Sequence, residues 1–272
     1  RNMEEKDIKC FYSQLGEDMF LYNLCINQRV PGGRYVEVGA MTGEALSNTK
    51  FLQDELGFSG VLIEPNPVNF QYLNKNRPKD AIYPVAIGET FQEKASFCSF
   101  SGANTLALSY LKEDTGPILK GTSYLTSGNV IEVPVYPLSD VLADHFNKTC
   151  TRSTDGKSLF DAYIDFMSID VEGAEEGVLK SMDWRIPVGI ICIEMHEAHE
   201  EKNDNCRNIM KENGFELLKR LHCNEFWVNR SYYRGNLLFK PTGKPPVLGG
   251  KMMVSEEHRQ EIADVILGYF YS

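Results

Sequence analysis

Four short apolar runs in this chain close on acidic residues: Glu37 in the run 34–38, Glu64 after 61–63, Asp170 with Glu172 after 163–169, and Glu194 with His196 after 188–193. Runs of that length and composition read as buried parallel strands. In an open α/β sheet, ligands bind in the crevice outside the carboxyl ends of the strands, so these acids fall where a site would be. One strand-end acid means little, but four in register argue for a site, because a carboxylate beside a buried sheet costs stability unless it is solvated or paired. The chemistry on offer is fourfold. A carboxylate at a strand tip accepts both hydroxyl hydrogens of a ribose, and an acidic, partly desolvated crevice suits a cationic group. Asp170 or His196, whose imidazole titrates near neutrality, could take a proton from a reacting hydroxyl. Oxygen-rich ligation by Asp170, Glu172, Glu194 or His196 suits a hard divalent cation such as Mg²⁺, which spacing alone leaves open. Plainer readings stand beside these: Asp170 to Glu175 also resembles an acidic first helical turn, and His196 sits in an acidic run that would suit a surface.

The elements that must position these residues begin with a βαβ unit. Residues 34–38 and 61–63 are its strands, with a helix between them that starts near Ser47, buries Phe51, Leu52 and Leu56, and stops at Gly57. Gly39 lets a ligand approach the backbone closely, or makes an ordinary strand-end turn. The spacing is Gly39-x-x-x-Gly43 with Met at position 41, whereas a dinucleotide fingerprint needs G-x-G-x-x-G to seat its pyrophosphate. A cofactor with a ribose but no phosphate, such as S-adenosylmethionine, demands less of that turn, so an NAD-dependent oxidoreductase is disfavoured.

Along the chain, residues 11–24 carry Leu15, Met19 and Tyr22 at helical spacing and predict a helix before the first strand. Residues 66–76 give the second crossover helix, and 81–87 a third strand whose Pro84 suits an edge. Residues 95–100 and 130–136 predict an extra strand pair around a Gly/Ser/Thr-rich segment, 101–129, of the length expected for a lid or binding loop. A short helix over 138–146, a polar loop over 151–157, strands over 163–169 and 188–193, a helix over 205–213 and an antiparallel pair over 215–221 and 225–229 follow. A Pro/Gly-rich stretch, 241–250, leads to an amphipathic helix from residue 255 that turns Ile262, Val265, Ile266 and Phe270 inward.

Composition narrows the partners. With 272 residues and 42% hydrophobic content the chain can build one large α/β domain. The formal net charge of −10, with no Lys/Arg stripe, disfavours nucleic acid. No apolar run has the length of a membrane span. Seven cysteines form no C-x-x-C pair, so a zinc cluster is not indicated; Cys192 reads as a buried small hydrophobe, and Cys150 as a residue that could pair in an oxidising compartment. Compartment stays open between the cytoplasm and a secretory lumen reached after loss of an N-terminal anchor, and oligomeric state is not readable.

Four motifs in order, Ser13-Gln-Leu-Gly-Glu-Asp18, Val36-Glu-Val-Gly-Ala40 with Ser47-Asn-Thr49, Val61-Leu-Ile-Glu-Pro65 and Ser168-Ile-Asp-Val-Glu-Gly-Ala-Glu175, together resemble the FkbM family of S-adenosylmethionine-dependent methyltransferases. The resemblance implies a class I, Rossmann-like α/β sheet, mostly parallel with one antiparallel strand and helices on both faces. The match covers roughly residues 11–230, so one methyltransferase domain is expected over 1–240, while 241–272, outside the match, reads as a Pro/Gly linker and a helix packed on the same domain. Carried over by position, Glu37, Gly39 and Ala40 line the methionine portion of the cofactor, Asn48 contacts its amino acid end, and Glu64, followed by Pro65, holds the ribose. Gln14 and Glu17 cover the cofactor, Val85 and Ala86 face adenine, and Asp170 and Glu172 lie nearest the transferring methyl. The implied reaction is O-methylation of a sugar, glycan or other small hydroxylated acceptor, driven mainly by alignment of oxygen, methyl and sulfur. A catalytically silent domain used for binding or trafficking is the alternative.

Overall fold

The computed structural model describes residues 10–25, 33–100, 103–105, 129–150, 162–232, 248, 250–252 and 256–271. In chain order the first half holds α1 (Glu17–Cys25), β1 (Arg34–Val38), α2 (Lys50–Leu56), β2 (Ser59–Ile63), α3 (Pro67–Asn76), β3 (Ala81–Tyr83), β4 (Ala86–Ile87), β5 (Gln92–Phe100) and β6 (Ala103–Thr105). The second half holds β7 (Asn129–Tyr136), α4 (Leu138–Thr149), β8 (Ile164–Ile169), α5 (Glu175–Lys180), β9 (Val188–Glu194), a 3-10 turn (Glu197–His199), α6 (Glu200–Glu212), β10 (Phe215–Leu221), β11 (Asn224–Asn229) and α7 (Glu256–Tyr271).

Seven strands form the main sheet in the order β10-β11-β9-β8-β1-β2-β3. Pairing is parallel from β9 through β3, and β11 runs against both of its neighbours. Six strands therefore share one direction and one is reversed, the α/β architecture implied by the sequence. Helices cover both faces, because neighbouring residues on a strand point to opposite sides. Val36, Val38 and Ile169 join Leu142, Phe146, Leu179 and Met210 of α4, α5 and α6 in one core. Tyr35, Leu62 and Phe166 join Phe20, Phe51 and Ile262 of α1, α2 and α7 in the other.

Several local expectations change. The strand expected over 81–87 breaks at Pro84, which has no N–H to give a ladder: β3 ends the large sheet, while β4 starts a separate four-stranded sheet, β4-β7-β5-β6. The opening helix starts at Glu17, not near residue 11, because the N–H groups of Tyr12 and Ser13 bond to the Asp18 carboxylate and Gly16 takes φ +82°. Helix α2 starts at Lys50 rather than beside Ser47, yet the Ser47 hydroxyl still accepts from the N–H groups of Thr49 and Lys50. Helix α6 starts five residues before the expected 205. Cys150 carries a free thiol and Cys192 is buried in the core. Most of the expected lid, 101–102 and 106–128, lies outside the described residues, as do the loop 151–157 and the stretch 241–247. Among the described residues no helix is long and apolar enough to cross a membrane.

Candidate active site

A cleft of about 1010 Å³, counting its open mouth, lies at the carboxyl ends of β1, β2, β8 and β9. Gly39, Ala40, Met41 and Asn48 form one side, Glu64 and Pro65 the next, Val85, Ala86 and Phe97 a third, and Asp170, Glu172 and Glu194 the fourth, with Gln14 and Glu17 above. The structure thus brings Gln14, Gly39, Ala40, Asn48, Glu64, Pro65, Val85, Ala86, Asp170 and Glu172 to one cavity. Glu37 and His196 are not on its walls.

Glu37 lies under the floor. It is 4% exposed, and its carboxylate accepts from the Ser47 hydroxyl at 2.9 Å, the Thr49 hydroxyl at 2.8 Å and the Asn48 N–H at 2.8 Å. Its role against the cofactor's methionine portion is therefore replaced by a role in shaping the loop that carries Asn48. Arg77, fully buried, completes the network: it donates to the Gly43 carbonyl, the hydroxyls of Tyr35, Ser47 and Thr49, and Asp80. Burial raises the Glu37 pKa and the nearby Arg77 charge opposes it. Arg77 was invisible as a site residue in the sequence, where it marks only the end of a helix before Pro78.

Glu64 does two jobs at the tip of β2. Its oxygens accept from the N–H groups of Met41 and Asn66, both at 2.8 Å, which ties together the turns after β1 and β2. Met41 holds φ +47°, a left-handed conformation that costs a side-chain-bearing residue about 1–2 kcal/mol. So the position where a dinucleotide turn wants glycine is left-handed here too, held by a carboxylate. A carboxylate offers about four acceptor positions, so with a further hydrogen bond from the Asn69 side chain Glu64 still has acceptor capacity to spare. Burial raises the Glu64 pKa against the two backbone bonds and the Asn69 side chain. Gly39, at φ +89°, is needed for a reason other than ligand approach: a Cβ there would sit 1.9 Å from the Asp170 carbonyl oxygen.

The fourth wall is different. Glu175 accepts from the N–H groups of Val171 and Gly173 and pairs with buried Lys202, which fixes the turn carrying Asp170 and Glu172. Asp170, Glu172 and Glu194 have carboxylate oxygens within 4.8 Å of one another. The protein offers them few donors; the Cys223 thiol, 3.9 Å from Glu194, is one. All three pKa values are pushed up, first by desolvation and then by the neighbouring acids, Glu175 foremost for Asp170, and Asp170 foremost for the two glutamates. Three like charges so close cannot all ionise at neutral pH, and the cluster titrates as a unit. Such a set can share protons, face a cationic ligand or hold a hard divalent cation.

His196 corrects the expectation that it faces the crevice. Its Nδ1 accepts from the Ala198 N–H at 3.2 Å, capping the 3-10 turn, and burial followed by the Lys202 charge lowers its pKa. Phe97, Cys223 and Asn224 line the cleft without having been singled out in the sequence. Asn224 donates to Glu17 at 2.6 Å, which locks α1 over the opening. Phe97 comes from the second sheet, Cys223 from the turn before the reversed strand and Asn224 from that strand's first position, so only the tertiary pairing brings them in.

The chain is similar to proteins already known. The methyltransferase FkbM domain profile matches residues 37–217. Among solved structures, a methyltransferase FkbM from Methylobacillus flagellatus is 15% identical with a TM-score of 0.42, over 72% of this chain and 43% of that one. This chain therefore spans less than half the length of that protein. A TehB-like SAM-dependent methyltransferase from Corynebacterium glutamicum is 10% identical, with a TM-score of 0.37 over 78% and 84% of the two chains. Aeropyrum pernix fibrillarin, solved with natively bound S-adenosyl-L-methionine, is 9% identical, with a TM-score of 0.38 over 78% and 76%. No curated protein matches the chain. The span of the domain match, over a mostly parallel seven-stranded sheet with the cleft at its carboxyl edge, places this chain in the FkbM methyltransferase family.

Proposed function

We propose that the cleft binds S-adenosylmethionine and that the chain transfers its methyl group to a hydroxyl of a small-molecule or glycan acceptor. One observation carries the reading: the cleft sets a partly satisfied carboxylate, Glu64, across from three donor-poor carboxylates, Asp170, Glu172 and Glu194. Glu64 has spare acceptor capacity for the two hydroxyls of a ribose, and the acidic trio suits a cationic sulfonium rather than a pyrophosphate. The donor set therefore fits this cofactor and opposes a dinucleotide.

In this reading Val85, Ala86 and Phe97 enclose the adenine, and Gly39, Ala40 and Asn48 hold the amino acid end. Gln14 and Glu17 close the opening from above. When bound, the cofactor supplies an electrophilic methyl group whose leaving sulfur becomes neutral. The protein's part is alignment, exclusion of water and removal of the acceptor's hydroxyl proton. Asp170 takes that proton: it stands at the end of the central strand β8, and its raised pKa makes its carboxylate a stronger base than a solvated one. Glu172 and Glu194 receive part of the added charge through the shared titration of the cluster.

Calorimetric titration of the whole chain with S-adenosylmethionine and with NAD tests the proposal. Binding of the methyl donor that is lost in Glu64→Ala supports it, and turnover with a panel of sugars and phenols then identifies the acceptor. Binding of NAD in its place, or of neither compound, overturns it; the second result favours a silent binding module.

A further inference from the structure

A second group of potential ligands lies away from the cleft. His222, in the turn between β10 and β11, and His258 and Glu261, on α7, bring two imidazole nitrogens and a carboxylate oxygen within 4.8 Å of one another. His258 and Glu261 are three apart on a helix and so share a face. His222 is held in a left-handed conformation at φ +52°. The rings of His222 and His258 lie 5.5 Å apart. We propose that these three side chains bind a divalent transition metal, zinc by preference, and that the metal fastens the terminal helix to the turn behind the cleft.

The geometry is close to what a metal requires. His222 Nδ1 stands 3.9 Å from a Glu261 oxygen, too far for a hydrogen bond. Around tetrahedral zinc, with ligand bonds near 2.0–2.1 Å, two ligand atoms sit roughly 3.3 Å apart. Closing the gap takes a small rotation of Glu261, whose side chain is 58% exposed. The other nitrogen of His222 is buried with no hydrogen-bond partner among the described residues, which is uncommon for a polar atom. Two histidines and one glutamate are the ligand set of several zinc sites that keep a fourth position for water, and imidazole favours zinc over the hard cations that Asp170, Glu172 and Glu194 would prefer.

The location gives the site a consequence. His222 adjoins Cys223 and Asn224, which line the cleft. Glu261 adjoins Ile262, which packs against Gly16 so tightly that a Cβ there would come within 2.6 Å, and Gly16 precedes the cleft residue Glu17. A metal bridging turn and helix would clamp this wall. All three ligands lie beyond the residues matched by the family profile, 37–217, so the site is a property of this chain's terminal region.

Titration of the whole, metal-free chain with Zn²⁺ against a chromophoric chelator, repeated with Co²⁺ to read ligand-field absorption, tests the proposal. The expected result is one zinc bound with a sub-micromolar Kd, a visible cobalt spectrum typical of four-coordination, and a rise in Tm on adding zinc. His258→Ala, on the helix surface, should weaken binding at least 100-fold and abolish the rise in Tm, and His222→Ala should do the same. Asp170→Asn should leave zinc binding unchanged. Zinc binding that survives both histidine substitutions, zinc binding lost in Asp170→Asn, or no zinc binding by a chain that folds normally, overturns it.

Discussion

Two sets of carboxylates sit within one cleft region and behave in opposite ways. Glu37, Glu64 and Glu175 each accept backbone N–H groups, and hydroxyls, an arginine network or a lysine complete the set. Asp170, Glu172 and Glu194 face the cavity with few protein donors and are held above the ordinary carboxylate range by desolvation and by neighbouring acids, Glu175 among them. All six are acids at or beside strand ends, so residue type does not separate them. Local donors do: a carboxylate surrounded by N–H groups shapes a loop, whereas one surrounded by other carboxylates is free to meet a ligand.

Breaking the satisfied set should produce the largest effect. Arg77→Ala removes the partner of Asp80 and the cation beside Glu37 in a region with no exposure, and should cost about 3–5 kcal/mol of stability, read as the shift of a urea midpoint. In the unsatisfied set, Asp170→Asn should reduce kcat about 100-fold or more, seen in a turnover assay, because the proton acceptor is gone.

That substitution should have the opposite effect on stability. The folded-state pKa of Asp170 is raised, so the folded protein binds more protons than the unfolded chain above the ordinary carboxylate pKa. Stability from this group is greatest in acid and is lost as pH rises through the folded value. The unfolding free energy of Asp170→Asn, read from urea midpoints, should thus exceed that of the parent by a margin that widens between pH 5 and pH 8, to about 1–2 kcal/mol at the upper end. A margin that narrows would show that Asp170 is a satisfied residue after all. Glu64→Gln sharpens the contrast further: one amide NH₂ must face the N–H of Met41 or Asn66, which should cost about 1–2 kcal/mol in thermal melts. At the small end, His196→Ala should change turnover less than threefold, as its ring caps a turn outside the cleft.

Much of this was legible in the sequence where a residue's role depends on its neighbours in the chain. The runs ending at Glu37, Glu64, Asp170 and Glu194 predicted the parallel strands, and the 215–229 pair predicted the antiparallel pairing that closes one side of the sheet. Glu64 and Asp170, each at the carboxyl end of its own strand, follow from where those runs stop. The satisfied network did not follow, because Arg77 reaches Gly43, Ser47 and Thr49 across more than twenty-five residues and has no local signature. His196 misled for the converse reason: its titration range is suited to catalysis, but orientation is set by the Ala198 N–H. The break at Pro84 was written in the sequence and was read as an edge, when it was the point where the chain leaves one sheet for another.

A crystal structure of the chain with S-adenosylhomocysteine tests the division between the two sets most directly. The expected density places the ribose hydroxyls against the Glu64 carboxylate and the sulfur on the side of Asp170, with the Glu37 and Arg77 contacts unchanged. Density for the nucleoside elsewhere, or a ribose bound by Asp170 with Glu64 contacting only its own protein partners, would contradict it.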